Sequence, residues 1–293
     1  MRARIVAPSS PPPLDKLVAG ATRLRDAGVT VDDIDGVVRG RHAYLNGSDD
    51  ERSASLVDAL GSGVDVVWLA RGGYGLTRIL PQVQLADGRA PIVIGFSDAT
   101  ALFAHRWQRG LPCVHGPLIT TLAAEPDDSF AHCRAVLERR ARGSSLAVRA
   151  AAAIDVEGPV FAGNLCVLCA LIGTPTFPAL DGTILALEEV GERPYRIDRM
   201  LTHLLNAGAL RGVRAVVAGH LTNCTEPAGS GARDPAPSPH EVFAERLGAA
   251  GVPFASGLAM GHEAPNFAIP LGVRAHLAVS GGSGALTLLG DLP

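Results

Sequence analysis

Lysine is almost absent from this chain. Of 26 basic residues only Lys16 is a lysine, and the residue three positions before it is Pro13, not serine. That excludes an S-x-x-K acylation site and a Walker lysine, and confines any Schiff-base chemistry to Lys16. A serine nucleophile here needs a histidine as its base. The five cysteines (Cys113, Cys133, Cys166, Cys169 and Cys224) are odd in number and lack the spacing of a disulfide framework. Cys166 and Cys169 form a C-x-x-C inside an apolar run and read as small core residues rather than a redox pair. None of the nine histidines has a metal-ligand spacing, so neither a metal nor a cofactor is expected. No apolar run reaches membrane-spanning length, and the one near the N-terminus is too short for a signal peptide, which makes the cytoplasm the default location. A net charge of −3 gives no electrostatic case for nucleic acid or an anionic membrane.

What remains is a 293-residue chain, 47% hydrophobic and 4% aromatic, with material for about two domains. Up to about residue 140, short apolar runs at 2–8, 64–70 and 91–94 alternate with helical patterns at 14–27, 49–60 and 129–140, and 29–38 reads as a weak strand. This alternation predicts an α/β domain over 1–143, a flavodoxin-like parallel sheet with helices on both faces. Arg142 to Ser145 read as a linker. Residues 144–293 read as a smaller, β-rich α/β domain with strands near 156–161, 183–188, 213–218, 275–279 and 285–289. Residues 226–239, rich in Pro, Gly and Ser, read as a long loop, either mobile or a lid.

Ligands of such sheets gather beyond the carboxyl ends of the strands. Two stretches fall there. In Gly95-Phe96-Ser97-Asp98 a buried strand turns sharply into a helix with Ser97 at the turn, the setting of a nucleophile whose oxyanion faces helix-start N–H groups. Alternatively Ser97 is simply the N-cap, with Asp98 answering the helix dipole. In Arg71-Gly72-Gly73-Tyr74-Gly75 the glycines allow close backbone approach to a ligand, or serve only a tight turn. His115, after Cys113 and Val114, reads as an ordinary strand-end histidine in preference to one supporting the site.

Seven stretches in order resemble one family, the serine LD-carboxypeptidases, which include muramoyl-tetrapeptide carboxypeptidases and microcin-immunity hydrolases. They are Tyr44 to Arg52, Ala70 to Gly75, Gly95 to Thr100, Gly163-Asn164-Leu165, Leu187-Glu188-Glu189, Tyr195 to Leu201 and Gly261-His262-Glu263-Ala264-Pro265-Asn266. The resemblance implies Ser97 as nucleophile, His262 as base and Glu188 as the orienting carboxylate. Glu189 stands where the family more often has aspartate, which leaves two glutamates in contention, although alternation along the strand allows only one to reach His262. The N–H of Asp98, with that of Gly72 or Gly73, would form the oxyanion hole, and Arg71 and Tyr74 would contact substrate. The implied substrate is a small muropeptide cut at the L–D bond that releases terminal D-alanine during wall recycling. Two alternatives stand beside it: hydrolysis of peptidyl-nucleotide antibiotics, and a non-catalytic sheet binding a metabolite at the glycine turn. Family members are often homodimers.

Overall fold

The computed structural model describes residues 1–84, 90–227 and 236–293. Its strands begin with β1 (Arg2–Val6), β2 (Thr30–Val31), β3 (Arg41–His42), β4 (Leu45–Asn46), β5 (Val66–Leu69), β6 (Ile92–Gly95) and β7 (Cys113–His115). There follow β8 (Ser145–Arg149), β9 (Ile154–Asn164), β10 (Ile184–Val190), β11 (Ala215–Thr222), β12 (Phe254–Ser256), β13 (Ile269–Pro270), β14 (Arg274–Ser280) and β15 (Ser283–Leu288). The first sheet has the order β13-β7-β6-β5-β1-β2. Its members run parallel except β13, which returns late in the chain to pair antiparallel with β7. Setting aside β13 and the small β3–β4 ribbon, this is the doubly wound order 2-1-3-4-5, with its switch point between β1 and β5. Every residue of β5 and β6 is buried, as central parallel strands require.

The second sheet closes into a barrel, β10-β11-β12-β8-β15-β14-β9. Strands β9 to β12 pair in parallel and the rest antiparallel. The eleven-residue β9 makes closure possible: its first half pairs with β14 and its second half with β10. Local patterning indicates the strands but not the closure.

Several expectations are corrected. The weak strand over 29–38 shrinks to Thr30–Val31. The linker at Arg142–Ser145 is partly strand, since Ser145 opens β8, and the Gly143 N–H donates to the Leu288 carbonyl. A short helix, Leu165–Ala170, follows β9, and Asn164 caps it by accepting from the Val167 N–H. Of the loop expected over 226–239, residues 228–235 lie outside the described residues. Among the described residues, no helix is long and apolar enough to cross a membrane.

The two sheets are joined through the helix that follows β6, Ala99–Trp107. Thr100 is fully buried, and its Oγ1 accepts from the Asn164 N–H at 2.8 Å. Gly163 makes room for this, since a Cβ there would lie 2.6 Å from Thr100 Cγ2. Two turns on, Trp107 packs edge-on against Phe161 of β9 and donates its indole N–H to the Ala179 carbonyl.

Helix Leu14–Asp26 packs on the short helix Ile119–Leu122 with comparable intimacy. A Cβ on Gly20 would lie 2.0 Å from the Ile119 carbonyl oxygen, which is backbone and cannot step aside. Gly20→Ala is therefore expected to cost about 1–3 kcal/mol of unfolding free energy, the usual range for overpacking. A urea denaturation midpoint equal to wild type would show that this contact has slack.

Candidate active site

Ser97 sits between β6 and the following helix with φ +65°, a left-handed conformation in a residue with a Cβ. Such strain costs on the order of 1–3 kcal/mol and persists where the surroundings over-determine it. Burial of β6 on one side and the Thr100 anchor on the other supply that determination. Ser97 is not the N-cap: that position belongs to Asp98, and the Ser97 hydroxyl makes no hydrogen bond to any described residue. Asp98 is turned inward and accepts from Ser9 Oγ at 2.6 Å and from the Leu76 N–H at 2.9 Å. It thereby ties the turn after β6 to the loops after β1 and β5. Burial raises its carboxyl pKa against those two hydrogen bonds.

The glycine turn lies against the serine. A Cβ on Gly72 would stand 2.9 Å from Ser97 Cβ and 3.0 Å from its Oγ, so only glycine fits. Gly73 has φ +101° and backs onto Ser10. The backbone N–H groups of Gly72, Gly73 and Asp98 find no acceptor among the described residues. Arg71 donates to the Pro11 carbonyl at 2.7 Å, which fixes the loop after β1. Tyr74 is exposed and tilts against Tyr44, ring centroids 5.8 Å apart.

Glu188 and His262 meet although they are 74 residues apart: His262 Nδ1 lies 2.6 Å from Glu188 Oε2. The carboxylate is fully buried and the imidazole one-fifth exposed. A buried carboxylate needs such a partner, and the bond fixes the tautomer in which Nδ1 donates and Nε2 is left as the basic nitrogen. The loop bearing His262 is shaped by Gly261, whose φ is +127° and whose Cβ would lie 2.9 Å from that of Glu188. Asn266 fastens it, accepting the Gly261 N–H and donating its own N–H to buried Glu125. The His262 ring stands edge-on to Phe96, the residue before Ser97, with centroids 4.8 Å apart. No hydrogen bond joins Ser97 Oγ to His262 itself. Such contacts commonly tighten only when substrate binds.

Glu189 faces away from this pair. It accepts from Asn164 Nδ2, the Cys166 N–H and the Val190 N–H, and burial pushes its carboxyl up to about 7. Its role is to bind β10 to the helix after β9.

His115 corrects the sequence reading. It ends β7 as expected, yet it is fully buried, packs on Phe96, and has neither ring nitrogen hydrogen-bonded. Glu188, His262 and His220 are its electrostatic neighbours, and burial holds it down to about 4. A lone strand-end histidine carries no local signal for this; the return of β13 beside β7 is what buries it.

With this geometry in view, the likeness to known proteins is direct. Residues 3–116 match the model of the LD-carboxypeptidase N-terminal domain, and residues 157–277 that of the C-terminal domain. The chain belongs to the LD-carboxypeptidase family. It is 34% identical to the murein tetrapeptide carboxypeptidase of Pseudomonas aeruginosa over 94% of this chain and 92% of that one. The crystal structure of a muramoyltetrapeptide carboxypeptidase from Oxalobacter formigenes superposes with a TM-score of 0.87 at 28% identity, covering 99% and 100% of the two chains. The microcin C7 self-immunity protein of Escherichia coli is 27% identical over 69% of this chain and 68% of its own. As an LD-carboxypeptidase the protein is a serine-type hydrolase.

Two outcomes are expected of this LD-carboxypeptidase. Gly72→Ala should lower kcat by ~100-fold or more with the fold retained, the usual penalty for misplacing a reacting group; full activity would detach the glycine turn from the chemistry. The second concerns acid stability. Above His115's unfolded pKa of 6.5 the imidazole is neutral in both states and adds no pH dependence. As pH falls from there towards about 4, the unfolded chain takes up a proton that the folded chain refuses, so stability drops. The full loss is on the order of 3 kcal/mol. Glu189 acts with opposite sign, adding stability as pH falls from about 7 towards 4.5. The wild-type slope is thus a sum, and His115→Leu should remove the destabilising part. Denaturation midpoints at pH 7 and 4.5 that move equally in both proteins would refute the assignment.

Proposed function

We propose that the protein hydrolyses the amide bond joining an L-configured centre to the terminal D-alanine of murein tetrapeptide, with Ser97, His262 and Glu188 as its catalytic residues. The observation that carries this reading is the buried Glu188–His262 hydrogen bond, with Phe96 linking it to a strained serine whose hydroxyl is uncommitted. Ser97 Oγ attacks the carbonyl carbon while His262 Nε2 takes the hydroxyl proton, and Glu188 stabilises the imidazolium that results. The tetrahedral oxyanion is held by the N–H of Asp98 and one from Gly72 or Gly73, groups otherwise without acceptors. On collapse, the C–N bond breaks and His262 passes its proton to the leaving amine, releasing D-alanine. Water, deprotonated by the same imidazole, then cleaves the acyl ester and restores the serine.

The reading extends to recycling of wall peptides in the cytoplasm; what the relatives' names support is the murein tetrapeptide as substrate. A nucleotide-conjugate substrate, as in the immunity branch, calls for an aromatic platform. Both tryptophans are otherwise engaged: Trp68 is fully buried with its N–H on the Pro117 carbonyl, and Trp107 packs on Phe161. Neither tryptophan can serve as that platform, and with the greater identity to the murein tetrapeptide carboxypeptidase, 34% against 27%, this favours the muropeptide reading.

Purified protein should release D-alanine from L-Ala-D-Glu-mesoDap-D-Ala. Ser97→Ala should abolish release, and Glu188→Gln should lower kcat by about 10⁴-fold, the scale seen when a triad carboxylate becomes an amide. Release by Ser97→Ala at the wild-type rate would remove the serine from the mechanism.

A further inference from the structure

The single lysine is not used by the mechanism above, yet it lies beside the site. Lys16 lines a cavity of about 200 Å³ whose walls include Phe96, Thr120, Thr121, Gly261 and His262. We infer that this cavity receives the leaving residue of the substrate and that the Lys16 ammonium pairs with that residue's free carboxylate. This inference rests on the acyl-transfer reading and adds to it the group that recognises the chain end.

Four observations carry it. First, His262 must deliver a proton to the departing nitrogen, so the leaving residue has to lie against His262. The cavity is walled by His262 and by Phe96, the neighbour of Ser97, and by none of the proposed oxyanion donors Gly72, Gly73 and Asp98, as a subsite for the leaving residue would be. Second, its size suits one small residue. Its volume of about 200 Å³ accommodates a residue as small as alanine.

Third, the other polar groups lining the cavity cannot serve a carboxylate. The Thr120 and Thr121 hydroxyls donate to the Ala70 and Leu118 carbonyls. Glu125 is buried and committed to the Ser129 hydroxyl and the Asn266 N–H. Glu263 is exposed at the rim, free to turn its charge to water. Lys16 makes no ion pair with any described residue, and among those lining the cavity it is the one arginine or lysine. Fourth, its anchorage is firm. The Gly20 contact with Ile119 presses the helix carrying Lys16 against the one carrying Thr120 and Thr121, so the backbone of Lys16 is held beside the cavity while its exposed side chain stays free to reach a ligand there.

The test compares kcat/KM for the tetrapeptide ending in free D-alanine with that for the same peptide ending in D-alaninamide. Wild type should prefer the free carboxylate by about 10- to 100-fold, the scale of a charge-assisted hydrogen bond. Lys16→Met should bring the ratio close to one, chiefly through loss on the carboxylate substrate, and Lys16→Arg should recover part of it. Lys16 is exposed, so these variants should fold normally. A preference for the free carboxylate that survives Lys16→Met unchanged overturns the inference. Ser97→Ala tests the underlying reading separately: activity persisting in that variant would sink the acyl-transfer mechanism whatever Lys16 does.

Discussion

The site depends on one joint between the two sheets, where the Asn164 N–H meets Thr100 Oγ1 across a glycine that leaves room for nothing larger. Thr100 lies three residues after the strained serine, on the helix that serine introduces. Asn164 pairs in register with Glu188 on β10. A single buried hydrogen bond thus relates the position of a carboxylate in the barrel to that of a hydroxyl on the open sheet. The return of β13 to β7 fixes the connection from the other side, because the loop between β12 and β13 is the one that carries His262.

Around that joint the chain accepts local costs. Ser97 is held at φ +65°, and Glu188 is stripped of water with one carboxylate oxygen left without a partner. Gly72 and Gly261 are fitted so closely to Ser97 and Glu188 that a methyl group would displace either. Strain, desolvation and close backbone approach cluster here, whereas β5 and β6 are buried and regular throughout. That contrast is the one expected of a site pre-organised for chemistry: the scaffold supplies the rigidity that lets unfavourable local geometry persist.

Charge is arranged with similar economy. Two adjacent glutamates end β10 and have different fates, Glu188 reaching the histidine loop and Glu189 the start of the next helix, because successive side chains leave a strand on opposite faces. His115 remains neutral beneath Phe96, so it adds no positive charge to compete with His262 for the Glu188 carboxylate.

Much of this was legible in the sequence. Apolar runs and helix-stop glycines located β1, β5, β6 and the helices 14–26 and 49–61, because these elements are set by local periodicity and capping. The motifs around Gly72, Ser97, Glu188 and His262 carried the family resemblance, and the strand-to-helix turn at Ser97 was readable from the local stretch 91–100. Barrel closure, the return of β13, the burial of His115 and the selection of Glu188 over Glu189 were not. Each depends on which strand lies beside which, and strand neighbours are chosen by packing and register across long separations that leave no mark in a local window. The same holds for Lys16: its rarity was visible at once, but its place beside His262 follows only from how the first helix packs against residues 119–122.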